Sequence, residues 1–220
     1  MLLAQLYNQT GASEGWDVFP DEAGQRFVDD MRESIQLRSR FPKATELGAA
    51  ESMTFTFRHR ETGRKARAFL CDRAGALYQR LDEEVRGALN RAHGLVLLFD
   101  PADRVEGALL RDVARTLELL HAARGEAGSR DPRPIAICLT KSDRHIHAVR
   151  DLRRARQEPR GFVEGRLSEP VVGVINRYCA RWEPFPVSAV GLRLQWGSVR
   201  PVVFFDDQME ARVGVANQPL

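Results

Sequence analysis

The sequence predicts an α/β fold with a mostly parallel sheet, and three observations lead there. Short β-type runs alternate along the chain with longer runs of helical period. The run at 94–99, Gly-Leu-Val-Leu-Leu-Phe, is apolar throughout, as in strands of parallel sheets. Polar motifs stand directly after three of the strand-like runs, where ligands settle in open α/β sheets.

The elements follow in order. Residues 1–7 read as the body of a helix. A second helix is expected over 21–38, with Phe27, Met31 and Ile35 spaced by four. Residues 53–58 alternate through Met53, Phe55 and Phe57, and a turn at Thr62, Gly63 and Arg64 leads into a partner strand over 66–72, which together predict a hairpin. A helix is expected over 77–92, then the apolar strand ending at Asp100, then a helix over 103–123. Residues 125–133 read as a Gly/Pro/Ser loop and 135–139 as the next buried strand. The stretch 144–161 is polar and reads as a helix with a surface insertion. Ser168 and Pro170 supply an N-cap and an early helical proline for a helix running to about Trp182, and 185–187 is a last short strand. In the tail only 202–205 is β-type.

At 220 residues the chain suffices for one well-buried domain, expected as a core over 1–191 and a tail over 192–220. Hydrophobic residues at 43% and charged residues at 29% are ordinary for a globular protein. No apolar run approaches the roughly 18–20 residues that span a bilayer, so no transmembrane segment is expected. The first seven residues lack a basic region and a cleavage site, which argues against a signal peptide. Cys71, Cys138 and Cys179 lie far apart, which suits reduced thiols in a cytoplasmic protein better than a disulfide framework or zinc site. The net charge of +3 comes from an arginine-rich basic set, with lysine only at 43, 65 and 141. No interleaved aromatics accompany the arginines, and no nucleic-acid partner is expected. The run Arg150, Arg153, Arg154, Arg156 and Arg160 reads as a solvated face, or else as a contact surface for an anionic partner.

Three motifs carry chemistry. Asp72, at a strand end, can hold the water shell of Mg²⁺, and Gly75 lets a backbone N–H approach a terminal phosphate. Residues 140–143 (Thr-Lys-Ser-Asp) place a carboxylate, Asp143, that can accept both the ring N–H and the exocyclic amine of guanine, while the stem of Lys141 can lie along the base. Ser188 and Ala189 are small enough for a backbone N–H to reach the guanine carbonyl. Each motif alone is also compatible with an ordinary turn; their order, each after a strand, is what points to one site. The pair Asp100 and Asp103 reads as a strand-end turn with an N-cap. His145 and His147, two apart, do not make a metal pair.

These motifs resemble the third, fourth and fifth motifs of translation-factor-type (TRAFAC) P-loop GTPases, and most closely the bacterial double-GTPase group. Phe41, Pro42 and the Thr45 that follows resemble that group's switch-one segment, and residues 185–191 its final motif. The resemblance implies a three-layer P-loop NTPase-like (Ras-like) domain that binds GTP and GDP with Mg²⁺ and works as a slow switch. It assigns Thr45 and Asp72 to Mg²⁺, Gly75 to the γ-phosphate, and Thr140, Lys141, Asp143, Ser188 and Ala189 to the base. A protein partner or second GTPase-like domain is the partner it implies. It assigns no catalytic residue, because Ala76 stands where the family often has Glu. Thr140 replaces the commoner Asn of the base-reading motif.

The family's phosphate loop, GxxxxGK[ST], occurs nowhere in these residues, and residues 1–7 resemble the helix that follows it. The expectation is therefore a domain lacking its first central strand, between the strands ending at Asp72 and Asp100, and its last helix. A misassigned start and a degenerate pseudo-GTPase serving as an interaction module both meet that description.

Overall fold

The computed structural model describes residues 15–34, 50–73, 83–100, 107–125, 129–188, 192–195, 198–201, 203–205 and 211–213. It is an α/β structure with a parallel three-stranded sheet and flanking helices, consistent with a P-loop NTPase-like fold. The chain divides into two compact units, Met1–Leu81 with Val203–Val215, and Asp82–Val202 with Ala216–Leu220.

In the first unit, β1 (Trp16–Pro20), β2 (Ala50–His59) and β3 (Lys65–Arg73) form an antiparallel sheet in that order. The β2–β3 hairpin expected from the alternation is present, in register Met53 to Leu70 and Phe55 to Ala68. Its turn includes Gly63 at φ +65, a conformation glycine adopts without a Cβ clash. One sheet face carries Met53, Phe55, Phe57, Leu70 and Val18. Helix α1 (Glu22–Arg32) packs there through the fully buried Val28. The helix starts at Asp21, whose carboxylate accepts from Gly24 N at 2.7 Å and from Thr54 N at 2.8 Å. One side chain thus caps the helix and ties it to β2.

In the second unit the sheet is β4 (Leu95–Phe99), β5 (Asp131–Leu139) and β6 (Cys179–Pro186), all parallel, with β5 central. The β4–β5 crossover is α3 (Ala108–Arg124), and the β5–β6 crossover runs through α4 (Val149–Gln157), α5 (Pro159–Glu164) and α6 (Glu169–Tyr178). Helix α2 (Glu83–Arg91) precedes β4 and packs on α3. The core joins Ile135, Ile137 and Leu139 of β5 to Val113 and Leu117 of α3 and Val171 and Ile175 of α6. Burying each such side chain stabilises by roughly 1.5–3 kcal/mol. A hairpin of β7 (Leu192–Gln195) and β8 (Ser198–Pro201) adds Leu192 and Val199 to this core. The tail strand expected over 202–205 is β9 (Val203–Phe205), paired antiparallel with β10 (Ala211–Val213) in the first unit.

Several expectations are corrected. The helix expected to reach Trp182 ends at Tyr178, and the short strand at 185–187 is instead the eight-residue β6. From Trp182 onward β6 alternates buried and exposed positions, and its position at the sheet edge tolerates Pro184 and Pro186. The loop expected over 125–133 yields to β5 from Asp131, because a register shift between Asp131 and Pro134 accommodates prolines that cannot donate to the ladder. The polar stretch 144–161 is mostly helical. Its buried residues, Ile146, Leu152 and Ala155, are too sparse for a period to stand out. Strand β4 buries Leu95 and Phe99 but leaves Val96 and Leu98 exposed, so only one of its faces is covered. Strand β1 was not expected. The second expected helix is present as α1 from Glu22 to Arg32, with residues 35–38 outside the described set.

Candidate functional site

The carboxyl ends of β4, β5 and β6 lie side by side, because Phe99 pairs with Leu139 and Leu139 with Pro186. Thr140 donates twice to the Phe99 carbonyl, from its N–H at 2.8 Å and its hydroxyl at 3.0 Å. On the other side Val187 N donates to Leu139 O at 2.9 Å and Ser142 N to Val187 O at 3.1 Å. The hydroxyl of the fully buried Ser142 donates to Leu139 O at 2.7 Å. The turn after β5 is thus fastened to both neighbouring strand ends before any side chain faces a ligand.

Within that turn Lys141 sits at φ 52, the one non-glycine residue with positive φ among the described residues. Its ammonium meets the Asp100 carboxylate at 2.6 Å. A short 3₁₀ turn over Ser142–His145 follows and carries Asp143, whose side chain is buried. The Ser188 hydroxyl donates to Asp143 Oδ1 at 2.5 Å, across 45 residues of sequence. A buried carboxylate needs such a donor, since an unpaired buried charge is costly.

Four of the eight expected site residues, Thr140, Lys141, Asp143 and Ser188, therefore come together at one sheet end. Asp72 is in the first unit as the penultimate residue of β3, and only its backbone is described. Thr45, Gly75 and Ala189 lie outside the described residues. Among the described residues no group of three or more His, Cys, Asp or Glu side chains could hold a metal ion. No helix there is long and apolar enough to cross a membrane.

Two contributors were not singled out from the sequence. Asp100 was read as a turn residue, although its place directly after an apolar parallel strand was a signal. Ser142, between Lys141 and Asp143, gave none. Beneath the turn, His145 Nε2 is buried without a hydrogen-bond partner among the described residues. Burial, with Arg166, His147 and Arg144 nearby, holds its pKa below the ordinary value despite Asp143. Arg166 fastens this segment from below, donating to His145 O at 3.2 Å and lying over the Phe162 ring.

The family model described as Double-GTPase 2 matches residues 21–172, more than half of the chain. No curated protein and no solved structure matches.

Proposed function

The chain belongs to the Double-GTPase 2 family, and from that premise we infer that it is a guanine-nucleotide-binding switch domain whose base site is the turn after β5. The observation that carries this is the Ser188–Asp143 hydrogen bond at the adjoining strand ends. Asp143 accepts the ring N–H and the exocyclic amine of guanine, while the Ser188 hydroxyl keeps the carboxylate aimed. Adenine offers neither donor in that place and leaves the carboxylate with the Ser188 hydroxyl as its sole described donor, at about 1–3 kcal/mol. The stem of Lys141 lies along the base and ribose. Thr140, in place of the commoner Asn, acts on the fastening of β4 to β5 rather than on the base.

Thr45 and Asp72 are the residues we propose for Mg²⁺, with Gly75 at the terminal phosphate and Ala189 at the guanine carbonyl. The metal supplies charge neutralisation of the phosphates when nucleotide is bound. No residue of this chain is assigned to positioning a water for hydrolysis. These 220 residues contain no GxxxxGK[ST] run, whose backbone amides and lysine supply most phosphate affinity. Recognition by this chain alone therefore rests on the base, and its affinity for GTP is expected near the millimolar range, on the order of 4 kcal/mol. A second reading, an interaction module, draws on the exposed arginines of α4, of which Arg150 is 89% exposed.

The test is a titration of the chain with guanosine, adenosine and xanthosine, followed by the amide resonances of residues 140–143. Guanosine is expected to shift these resonances at lower concentration than adenosine. Asp143→Asn should transfer the preference to xanthosine, whose carbonyl accepts from the new amide. Equal responses to guanosine and adenosine would sink the base assignment.

A further inference from the structure

Lys141 and Asp143, two residues apart, are each held by the end of a different flanking strand. Asp143 is held by Ser188, just beyond β6, and Lys141 by Asp100, just beyond β4. The Lys141 hold is unusual in its energetics. The lysine side chain is 51% exposed, so the ion pair is screened by water and contributes little to stability. Yet its backbone occupies the left-handed region, which disfavours any residue with a Cβ. The turn is forced into this shape from both sides: Thr140 bonds twice to Phe99 O, and Ser142 bonds to Val187 O and Leu139 O. A strained backbone and an ordered, half-exposed lysine together restrict a side chain that would otherwise sample many rotamers.

We propose that Asp100 is a positioning residue for the base site: it holds the Lys141 ammonium so that the aliphatic stem is already in place when a guanine base meets Asp143. This rests on the reading of that turn as a guanine site. Asp100 touches no ligand in this scheme and takes no part in choosing between bases. It sets how tightly any base accepted by Asp143 is held.

The experiment is a double-mutant cycle on the 220-residue chain, with guanosine and adenosine titrated against the parent, Asp100→Asn, Lys141→Met and the double variant. Affinities come from the amide resonances, and thermal midpoints are recorded in parallel. Asp100→Asn is expected to weaken guanosine binding by about tenfold, the cost of freeing a lysine side chain, with the guanosine-to-adenosine ratio unchanged. Lys141→Met should cost a similar factor, and the double variant no more than either single one. Asp100→Glu, which keeps the charge, should restore binding to within about twofold of the parent. A merely structural role would instead lower the thermal midpoint and give losses that multiply. Unchanged affinity in Asp100→Asn, or multiplying losses in the double variant, overturns the inference while leaving the guanine site standing. A parent that responds equally to the two nucleosides, or to neither, overturns the site reading and this inference with it.

Discussion

Replacing Asp131 with Ala should destabilise the second unit more than any surface substitution. Asp131 opens β5 with its side chain 8% exposed, facing Arg124 and Arg133, at 18% and 12%. Arg124 Nη1 lies 2.7 Å from Oδ1, Arg133 Nη2 lies 2.5 Å from Oδ2, and Arg133 N donates to Oδ1 at 3.0 Å. Arg133 also donates to the Leu89 and Ala92 carbonyls at the end of α2. One carboxylate thus joins the ends of α2 and α3 to the start of the sheet. Removing it takes this carboxylate away from two largely buried guanidinium groups, which costs about 3–5 kcal/mol at neutral pH. That is a large share of the roughly 5–15 kcal/mol a domain possesses. The effect has a definite pH dependence. Burial pushes the Asp131 pKa upward, but the Arg133 hydrogen bonds and the charges of Arg133 and Arg124 outweigh it, and the net shift is downward from 3.8. A carboxylate with a depressed folded pKa contributes fully above its unfolded value and loses that contribution as pH falls through the folded value. Urea unfolding followed by far-ultraviolet circular dichroism, at pH 7 and at steps below pH 4, should show the gap between parent and Asp131→Ala closing in acid. A variant within about 0.5 kcal/mol of the parent at pH 7 would refute the reasoning.

Three further outcomes are expected. Because the folded pKa of His145 lies below 6.5, the native state binds fewer protons than the unfolded chain. Stability should therefore fall as pH drops through about 6.5, and His145→Gln should flatten that part of the pH–stability curve. Burial pushes the Cys138 and Cys179 thiols up to about 11. Site-resolved mass spectrometry should accordingly find both unmodified by iodoacetamide at pH 8 in the native protein and alkylated in urea. Gly24→Ala would place a Cβ 3.0 Å from Pro20 Cβ and 3.3 Å from the Phe55 ring. Despite Ala's higher helix propensity it should lower the denaturant midpoint, by about 1–3 kcal/mol of overpacking.

What was legible in the sequence divides along a physical line. Where a local pattern and the final packing agree, the elements were found. The hairpin of β2 and β3 alternates because one face meets α1, and β5 from Ile135 onward is apolar because helices cover it. Where tertiary contacts decide, they were missed or mis-sized. Strand β1 pairs with β2 across 35 or more residues and shows only five residues of pattern. Strand β6 begins at Cys179 because Asp131 of β5 waits opposite, a partner no local window contains. The prolines of β5 looked like loop signals because the bulge that accommodates them is a property of the pair of strands.

The candidate site was legible for a related reason, and only in part. Asp143 and Ser188 could be named from their own motifs because each follows a strand, and parallel strands in one sheet bring their carboxyl ends together whatever the intervening sequence does. The same topology makes the residue after β4 a neighbour of the residue after β5, so position alone brings Asp100 to the candidate site. Its side chain was discounted because an Asp before a Pro also makes an ordinary turn, and only the 2.6 Å contact with Lys141 distinguishes the two. A strand end predicts which backbone lies nearby. Which side chain is held there depends on a turn forced to positive φ by hydrogen bonds from both flanking strands, and that constraint is written in no single segment of the chain.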